Sequence, residues 1–103
     1  MRFEVRFSVA AEDDLERLFD FLLERAETVE DLDLAQSAIE AVRSAVENLL
    51  PATPYSFRKA GKSPTRRELI IPFRATGHVA LYEIEASRVL ALAVRHQREE
   101  DYH

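Results

Sequence analysis

The chain of 103 residues contains no cysteine, which excludes disulfides, thiolate zinc sites and cysteine nucleophiles. It also has no apolar run near the ~20 residues that a membrane span needs. The segment from Met1 to Val5 starts directly in a structured pattern and lacks the features of a signal peptide. Glycine occurs only at Gly61 and Gly77, so no glycine-rich phosphate loop can form. We therefore expect a cytoplasmic protein with no membrane association and no cofactor.

The remaining composition is that of one globular unit. Hydrophobic residues make up 47% of the chain and charged residues 32%, which is ordinary for a globular protein. The length allows one core, so we expect a single domain over residues 1–103. The net charge of -5 is unevenly distributed: residues 1–57 carry -8, residues 58–98 carry +6 and the last five residues carry -3. This asymmetry indicates either two faces with different partners or simply solvated helix surfaces.

The first half of the sequence predicts a strand followed by two helices. Apolar residues alternate over residues 3–7, as in a half-buried strand. They then recur at helical spacing from an N-cap at Ser8 to about Arg25. A second helical stripe covers residues 35–49, and the acidic run over residues 28–33 reads as a connection that also caps this helix. The resulting pattern is a helical hairpin.

The second half predicts strands. Residues 51–65 have no period and are expected to form a long ordered loop. Three strand-like runs follow over residues 67–73, 78–84 and 89–94, and their short connections indicate antiparallel hairpins. The predicted fold class is α+β, with a small antiparallel sheet made of the N-terminal strand and three C-terminal strands. This sheet is expected to pack against the N-terminal helical hairpin.

Titratable and basic groups follow the last predicted strand at Arg95, His96 and Arg98. An imidazole can act as a general acid or base near neutral pH, and two guanidiniums can hold a phosphate. The alternative is that His96 closes the end of the sheet while the arginines pair with the acids at 99–101. Both interpretations stay open on the sequence, but each makes this rim of the sheet the first candidate surface.

A second basic group is formed by Arg66, Arg67 and Arg74, with further cations in the preceding loop. Such side chains can contact a nucleic acid backbone, but lysine and arginine at strand edges also prevent aggregation. Neighbouring residues on a strand point to opposite faces, so Arg66 and Arg67 are expected to do so. No set of histidines and acids has metal-ligand spacing, and we expect no metal site.

Taken in order, these segments resemble the RelE/ParE superfamily of bacterial toxins, and the ParE branch in particular. The resemblance covers residues 2–102. It rests on the N-terminal strand and the run Ser8-Val-Ala-Ala-Glu-Asp-Asp-Leu15, on the second long helix, and on the Arg-Arg-Glu-Leu-Ile strand beginning at Arg66. The strand that ends near Tyr82 and the block Val89-Leu-Ala-Leu-Ala-Val-Arg-His-Gln-Arg-Glu-Glu-Asp-Tyr102 complete it.

The resemblance implies the toxin of a type II toxin–antitoxin module, a class associated with plasmid stabilization. A cognate antitoxin would hold the toxin inactive in a hetero-oligomer and would contact operator DNA itself, so that the toxin meets DNA only indirectly. In the ParE branch the implied target is DNA gyrase. In the RelE branch it is ribosome-bound mRNA, cut without a metal ion.

The acidic net charge and the lack of a dense set of acid–base side chains favour the gyrase branch over the RNA-cleaving branch. We therefore expect contact residues rather than catalytic ones. An RNase would have to use His96, Arg95 and Arg67, and a non-toxic member that only binds an antitoxin is a further alternative. The residues predicted to contact the target are Arg66, Arg67, Arg74, Arg95, His96 and Arg98.

The first helix carries more apolar residues than one buried face needs. In this family such a surplus suits a docked antitoxin helix, although loop or dimer contacts would explain it equally well. The residues predicted to bind the antitoxin are Leu18, Phe21, Leu22 and Leu23.

Overall fold

The computed structural model describes residues 2–74 and 76–97. Within these ranges the chain forms two layers, with two α-helices on one face of a five-stranded sheet. The strand order in the sheet is β1-β5-β4-β3-β2. The elements are β1 (Glu4–Phe7), α1 (Val9–Arg25), α2 (Val29–Leu49), a 3-10 turn (Pro54–Ser56), β2 (Arg58–Lys59), β3 (Arg66–Phe73), β4 (Thr76–Ile84) and β5 (Arg88–His96).

Side chains fix the starts of both helices. The Ser8 hydroxyl accepts a hydrogen bond from the Ala11 amide at 3.0 Å, which confirms the predicted N-cap. Thr28 and Asp31 form a capping box at the start of α2. Because α2 already begins at Val29, the acidic run that was expected to connect the helices is the first turn of α2. Its carboxylates there oppose the positive end of the helix dipole.

The α+β class and the two-layer packing are confirmed, but the sheet is mixed rather than wholly antiparallel. β3, β4 and β5 form the expected antiparallel hairpins. β1 pairs with β5 in parallel, with Val5 opposite Val89 and Phe7 opposite Ala91. An alternating apolar pattern is the same in both orientations, so the sequence could not distinguish them. A fifth strand, β2, lies inside the predicted 51–65 loop and pairs with the start of β3.

The core lies between the helices and one face of the sheet, which we call the helix face. α1 packs on β5, and α2 packs on β3 and β4. Leu15 and Val46 from the helices meet Leu69, Tyr82 and Val94 from the sheet, and all five side chains are buried. Burying a large aliphatic side chain contributes about 1.5–3 kcal/mol. The two stripes predicted from helical spacing are therefore what attaches the hairpin to the sheet.

The opposite side of the sheet, which we call the outer face, is not covered by either helix. Its side chains come from the alternate positions of the same strands, including Arg66, Glu68 and Ile70. Neither of the described helices is long and apolar enough to cross a bilayer.

Candidate interaction surfaces

The residues predicted to contact a target lie at two ends and on two faces of the sheet. The pairing of Arg67 with Tyr82 places the start of β3 beside the end of β4. The pairing of His96 with His78 places the end of β5 beside the start of β4. The two groups are about 13 Å apart along the strands, from the spacing of four residues. The residues predicted to contact a target therefore do not form one continuous surface.

Arg66 and Arg67 lie at one end of the sheet, while Arg74, Arg95 and His96 lie at the other. Arg98 is outside the described residues. Arg95 and His96 are neighbours on β5 and so point to opposite faces, Arg95 outward and His96 toward the helices.

The side chain of Arg67 makes hydrogen bonds to the backbone of its own chain. Its guanidinium donates hydrogen bonds to three backbone carbonyls, those of Tyr55 at 3.1 Å, Phe57 at 2.9 Å and Pro64 at 3.1 Å. The guanidinium carbon also lies 5.3 Å from the centroid of the Tyr55 ring. These contacts tie the 51–65 loop to β3 and provide hydrogen-bond donors to three of the loop's carbonyls. We therefore assign Arg67 to the architecture of the loop.

Tyr82 also connects the 51–65 loop to the core, at the end of the sheet where Arg67 lies. Its hydroxyl donates a hydrogen bond to the carbonyl of Pro54 at 2.5 Å, and its ring is fully buried. Burial disfavours the phenolate and raises the pKa of Tyr82 to about 12, while the positive charge of Arg67 acts in the opposite direction. Tyr82 thus belongs to the core.

The arginines of the outer face are paired with acids. Arg66 donates to Glu83 at 3.0 Å. Glu68 accepts a hydrogen bond from Arg58 at 3.1 Å and lies 3.9 Å from a guanidinium nitrogen of Arg95. The Arg95 side chain is only 12% exposed. The positive and negative charges on the outer face therefore largely neutralise one another.

A cavity of about 290 Å³ opens on the helix face at the end of the sheet where β5 finishes. The imidazoles of His78 and His96 stand edge to face with their centroids 5.5 Å apart. Arg25 from the end of α1 and Arg74 from the β3–β4 turn also line the cavity, together with the Phe73 ring and small residues of α2. This cavity brings together His96 and Arg74, which belong to the two different basic groups of the sequence, and it also includes His78.

The four residues predicted to bind an antitoxin differ in their environments on α1. Leu18 is 3% exposed and belongs to the core, so we exclude it from any surface. Leu22 lines the cavity, and Leu23 is partly buried. Phe21 is 46% exposed, with the guanidinium of Arg25 4.3 Å from its ring centroid.

Phe21 lies in a shallow groove on α1, and the groove is rich in carboxylates. Those acids, with one arginine, surround an exposed aromatic ring, so the groove combines apolar area with negative charge. It is the most evident surface of α1 for a basic partner. The charged residues that line it are Asp13, Glu16, Arg17, Asp20 and Glu24.

The sequence analysis gave Asp14 no role of its own. Asp14 is 5% exposed, and its carboxylate accepts a hydrogen bond from the Val94 amide at 2.9 Å. Since β1 ends at Phe7, opposite Ala91, α1 supplies the partner for the edge of β5 beyond that point. Asp14 could have been found from its spacing, because it falls on the apolar stripe of Ala11, Leu15 and Leu18.

No group of three or more histidine and acidic side chains in the described parts of the chain is arranged to hold a metal ion.

A family model described as "ParE toxin of type II toxin-antitoxin system, parDE" matches residues 5–101. The chain belongs to this ParE toxin family. No curated protein matches it in sequence.

Two solved structures have the same fold as this ParE family member. A chain of the chromosomal ParDE toxin–antitoxin system from P. aeruginosa superposes with a TM-score of 0.70 at 16% identity, over 96% of this chain and 98% of that chain. A chain of the RelBE2 toxin–antitoxin complex from Mycobacterium tuberculosis superposes with a TM-score of 0.60 at 19% identity, over 93% and 99%. At these identities the likeness establishes the shared fold.

Proposed function

We propose that this ParE family member is the toxin of a type II toxin–antitoxin module, that it inhibits DNA gyrase by direct protein–protein binding, and that a cognate antitoxin neutralises it. The observation that carries the proposal is the match to the ParE toxin model over residues 5–101. Its site of action would be the cytoplasm. The antitoxin would supply the DNA contacts of the hetero-oligomer.

The arrangement of the basic residues supports binding over RNA cleavage. An RNase site would need His96, Arg95 and Arg67 around one phosphodiester, because general acid–base catalysis requires groups within hydrogen-bonding reach of the reacting atoms. Arg95 lies on the outer face against Glu68. Arg67 is engaged by three loop carbonyls. The three side chains do not converge, and the net charge of -5 also disfavours RNA.

For the gyrase contact we retain Arg66, Arg74, Arg95 and His96, with Arg98 from the sequence. Arg74 is the strongest of these. It is exposed in the β3–β4 turn, and its guanidinium takes part in none of the ion pairs found among the described residues, in contrast to Arg66 and Arg95. The guanidinium lies 6.0 Å from the centroid of the Phe73 ring, a contact that leaves its N–H groups able to donate hydrogen bonds to a second protein.

The test is gyrase supercoiling in vitro with the purified, folded chain. We expect the protein to block supercoiling, Arg74→Ala to weaken the inhibition several-fold, and Arg2→Ala, an equal charge change in an exposed N-terminal residue, to leave it unchanged. Supercoiling that proceeds normally at high concentrations of folded protein would contradict the proposal. Cleavage of mRNA in a translation extract, abolished by His96→Ala, would establish the RNase alternative instead. Growth without arrest when the chain is expressed alone would indicate a non-toxic, antitoxin-binding protein.

For the antitoxin contact we propose the α1 surface around Phe21, with Leu22 and Leu23 at its border. The acids around Phe21 predict that the antitoxin segment carries basic residues beside apolar ones. Phe21→Glu should weaken the complex with the antitoxin, measured by calorimetric titration. Leu32→Glu on α2, where the native side chain is also 46% exposed, is the matched control and should leave affinity unchanged. Equal affinities for the wild type and Phe21→Glu would exclude this surface.

A further inference from the structure

The cavity on the helix face has a floor of small side chains. Ala35 and Ala38 of α2 line it, and each is 2% exposed. Because an alanine side chain is a single methyl group, these two positions leave open volume beside an otherwise close-packed core. The apolar walls above this floor are formed by Leu22, Leu34 and Phe73. The cavity can therefore accept an apolar side chain from outside the core.

Two guanidiniums line the same cavity, and each lies against an aromatic ring. The guanidinium carbon of Arg25 is 4.3 Å from the centroid of the Phe21 ring, and that of Arg74 is 6.0 Å from the centroid of the Phe73 ring. Such a contact leaves the in-plane N–H groups able to donate hydrogen bonds. Neither arginine joins an ion pair within residues 2–74 and 76–97. Both can therefore bind a carboxylate supplied by a partner.

The carboxylate that lines the cavity is already held by the backbone. Asp31 accepts hydrogen bonds from the amides of Glu27 at 3.0 Å and Thr28 at 3.2 Å, at the start of α2. The Glu27 amide is the main cause of a lowered pKa of Asp31, so this carboxylate stays charged where it is. Two guanidiniums against one carboxylate leave an excess of positive charge at the cavity. A partner group of negative charge is therefore favoured there.

The size of the cavity limits what can enter it. Small-molecule sites occupy about 300–1,000 Å³, and this cavity of about 290 Å³ lies at the lower end of that range. It suits one or two side chains. We propose that it receives an acidic side chain and a neighbouring apolar side chain of DNA gyrase, with the carboxylate bound by Arg25 and Arg74 and the apolar group over the alanine floor. This assignment rests on the gyrase contact proposed above, to which it adds Arg25, the floor and the chemistry of the target segment.

The two parts of this contact respond to different changes. A carboxylate bound by guanidiniums near the surface is screened by salt, so the ionic part should weaken as salt is added. The apolar part needs the open volume over Ala35 and Ala38, so it should be lost when that volume is filled, whatever the salt concentration. One variant of each kind therefore tests the cavity from two sides.

The test measures binding of the purified chain to gyrase and inhibition of supercoiling. Arg25→Glu reverses one charge of the cavity, and Ala38→Leu fills its floor. We expect each variant to weaken gyrase binding and inhibition several-fold, and Arg25→Glu also to reduce the salt dependence of binding. The matched controls lie outside the cavity lining: Lys59→Glu makes the same charge change on β2, and Ala41→Leu makes the same enlargement on α2. Both controls should behave as the wild type.

Circular dichroism and urea unfolding first establish that each variant is folded, and Ala35→Leu replaces Ala38→Leu if the latter is not. A wild-type chain that neither binds nor inhibits gyrase overturns the proposed function and this inference together. If the wild type inhibits gyrase and either folded cavity variant inhibits it equally well, the gyrase proposal stands and this inference is overturned. Cavity variants that keep gyrase inhibition but lose binding to the antitoxin or to an RNA oligonucleotide also overturn it, because the cavity then serves another partner.

Discussion

Alkaline destabilisation should reveal the buried phenol of Tyr82. The pKa of Tyr82 is raised from 10.0 to about 12 by burial, whereas the unfolded chain exposes an ordinary phenol. Below pH 10 both states keep the proton, so the full stability is present. Between pH 10 and about 12 the unfolded state loses its proton while the folded state retains it. The free energy of unfolding therefore falls as the pH rises, by about 3 kcal/mol for a shift of two pKa units.

Tyr82→Phe isolates this effect. At neutral pH the variant should be less stable by about 1 kcal/mol, because the Pro54 carbonyl loses its donor. Above pH 10 the variant has no phenol to ionise at this position, so its stability should change less steeply and its curve should cross that of the wild type. The measurement is urea unfolding at a series of pH values from about 9 to 12.

The comparison needs a control, because other tyrosines and lysines titrate in the same range. Their contributions cancel in the difference between the wild type and Tyr82→Phe. Tyr55→Phe changes an exposed ring and should not produce a crossing. A difference between wild type and Tyr82→Phe that stays constant across this pH range would refute the reasoning, since the Tyr82 phenol would then ionise equally in the folded and unfolded states.

Three further predictions concern stability. Asp14→Ala leaves the buried amide of Val94 without its acceptor and should cost about 1–3 kcal/mol in urea unfolding, whereas Asp14→Asn keeps an acceptor and should cost less. Gly77→Ala should lower the melting temperature, because a Cβ would lie 2.6 Å from the carbonyl oxygen of Ile71, and such overpacking costs about 1–3 kcal/mol. The guanidinium of Arg43 lowers the pKa of Glu12 through a hydrogen bond, so this pair stabilises the fold above the ordinary glutamate pKa and the gain is lost as the pH falls through the lowered value. Glu12→Gln should remove ~0.2–1 kcal/mol at pH 7 and less in acid; equal losses at both pH values would contradict this.

The parts of the fold that the sequence predicted are those encoded locally. The helical hairpin followed from apolar spacing and from the cap at Ser8, and the β3–β4–β5 hairpins followed from short connections. The parallel pairing of β1 with β5 joins residues 84 positions apart, such as Glu4 and Arg88, and periodicity carries no information on that partner. β2 is too short for its alternation to be visible, so it was assigned to the loop.

The separation of the two basic groups, in contrast, could have been derived from the sequence. Three antiparallel strands alternate in direction, so the start of β3 must lie at the same end of the sheet as the start of β5. Arg66 and Arg67 are therefore neighbours of the end of β4, at the opposite end from Arg95 and His96. The hairpins that the sequence predicted already required this separation.

The arginines also show why charge in a sequence is a weak guide to a binding surface. A guanidinium has five N–H donors, and a fold can use them to hold its own backbone, as Arg67 does with three carbonyls. Replacing such an arginine would reduce toxicity through loss of structure, and the loss could be mistaken for a lost contact. Arg74 does not have that ambiguity, because it lies in an exposed turn and joins none of the ion pairs found in residues 2–74 and 76–97. A loss of gyrase inhibition in Arg74→Ala with unchanged stability would therefore locate a contact, whereas the same loss in Arg67→Ala would not.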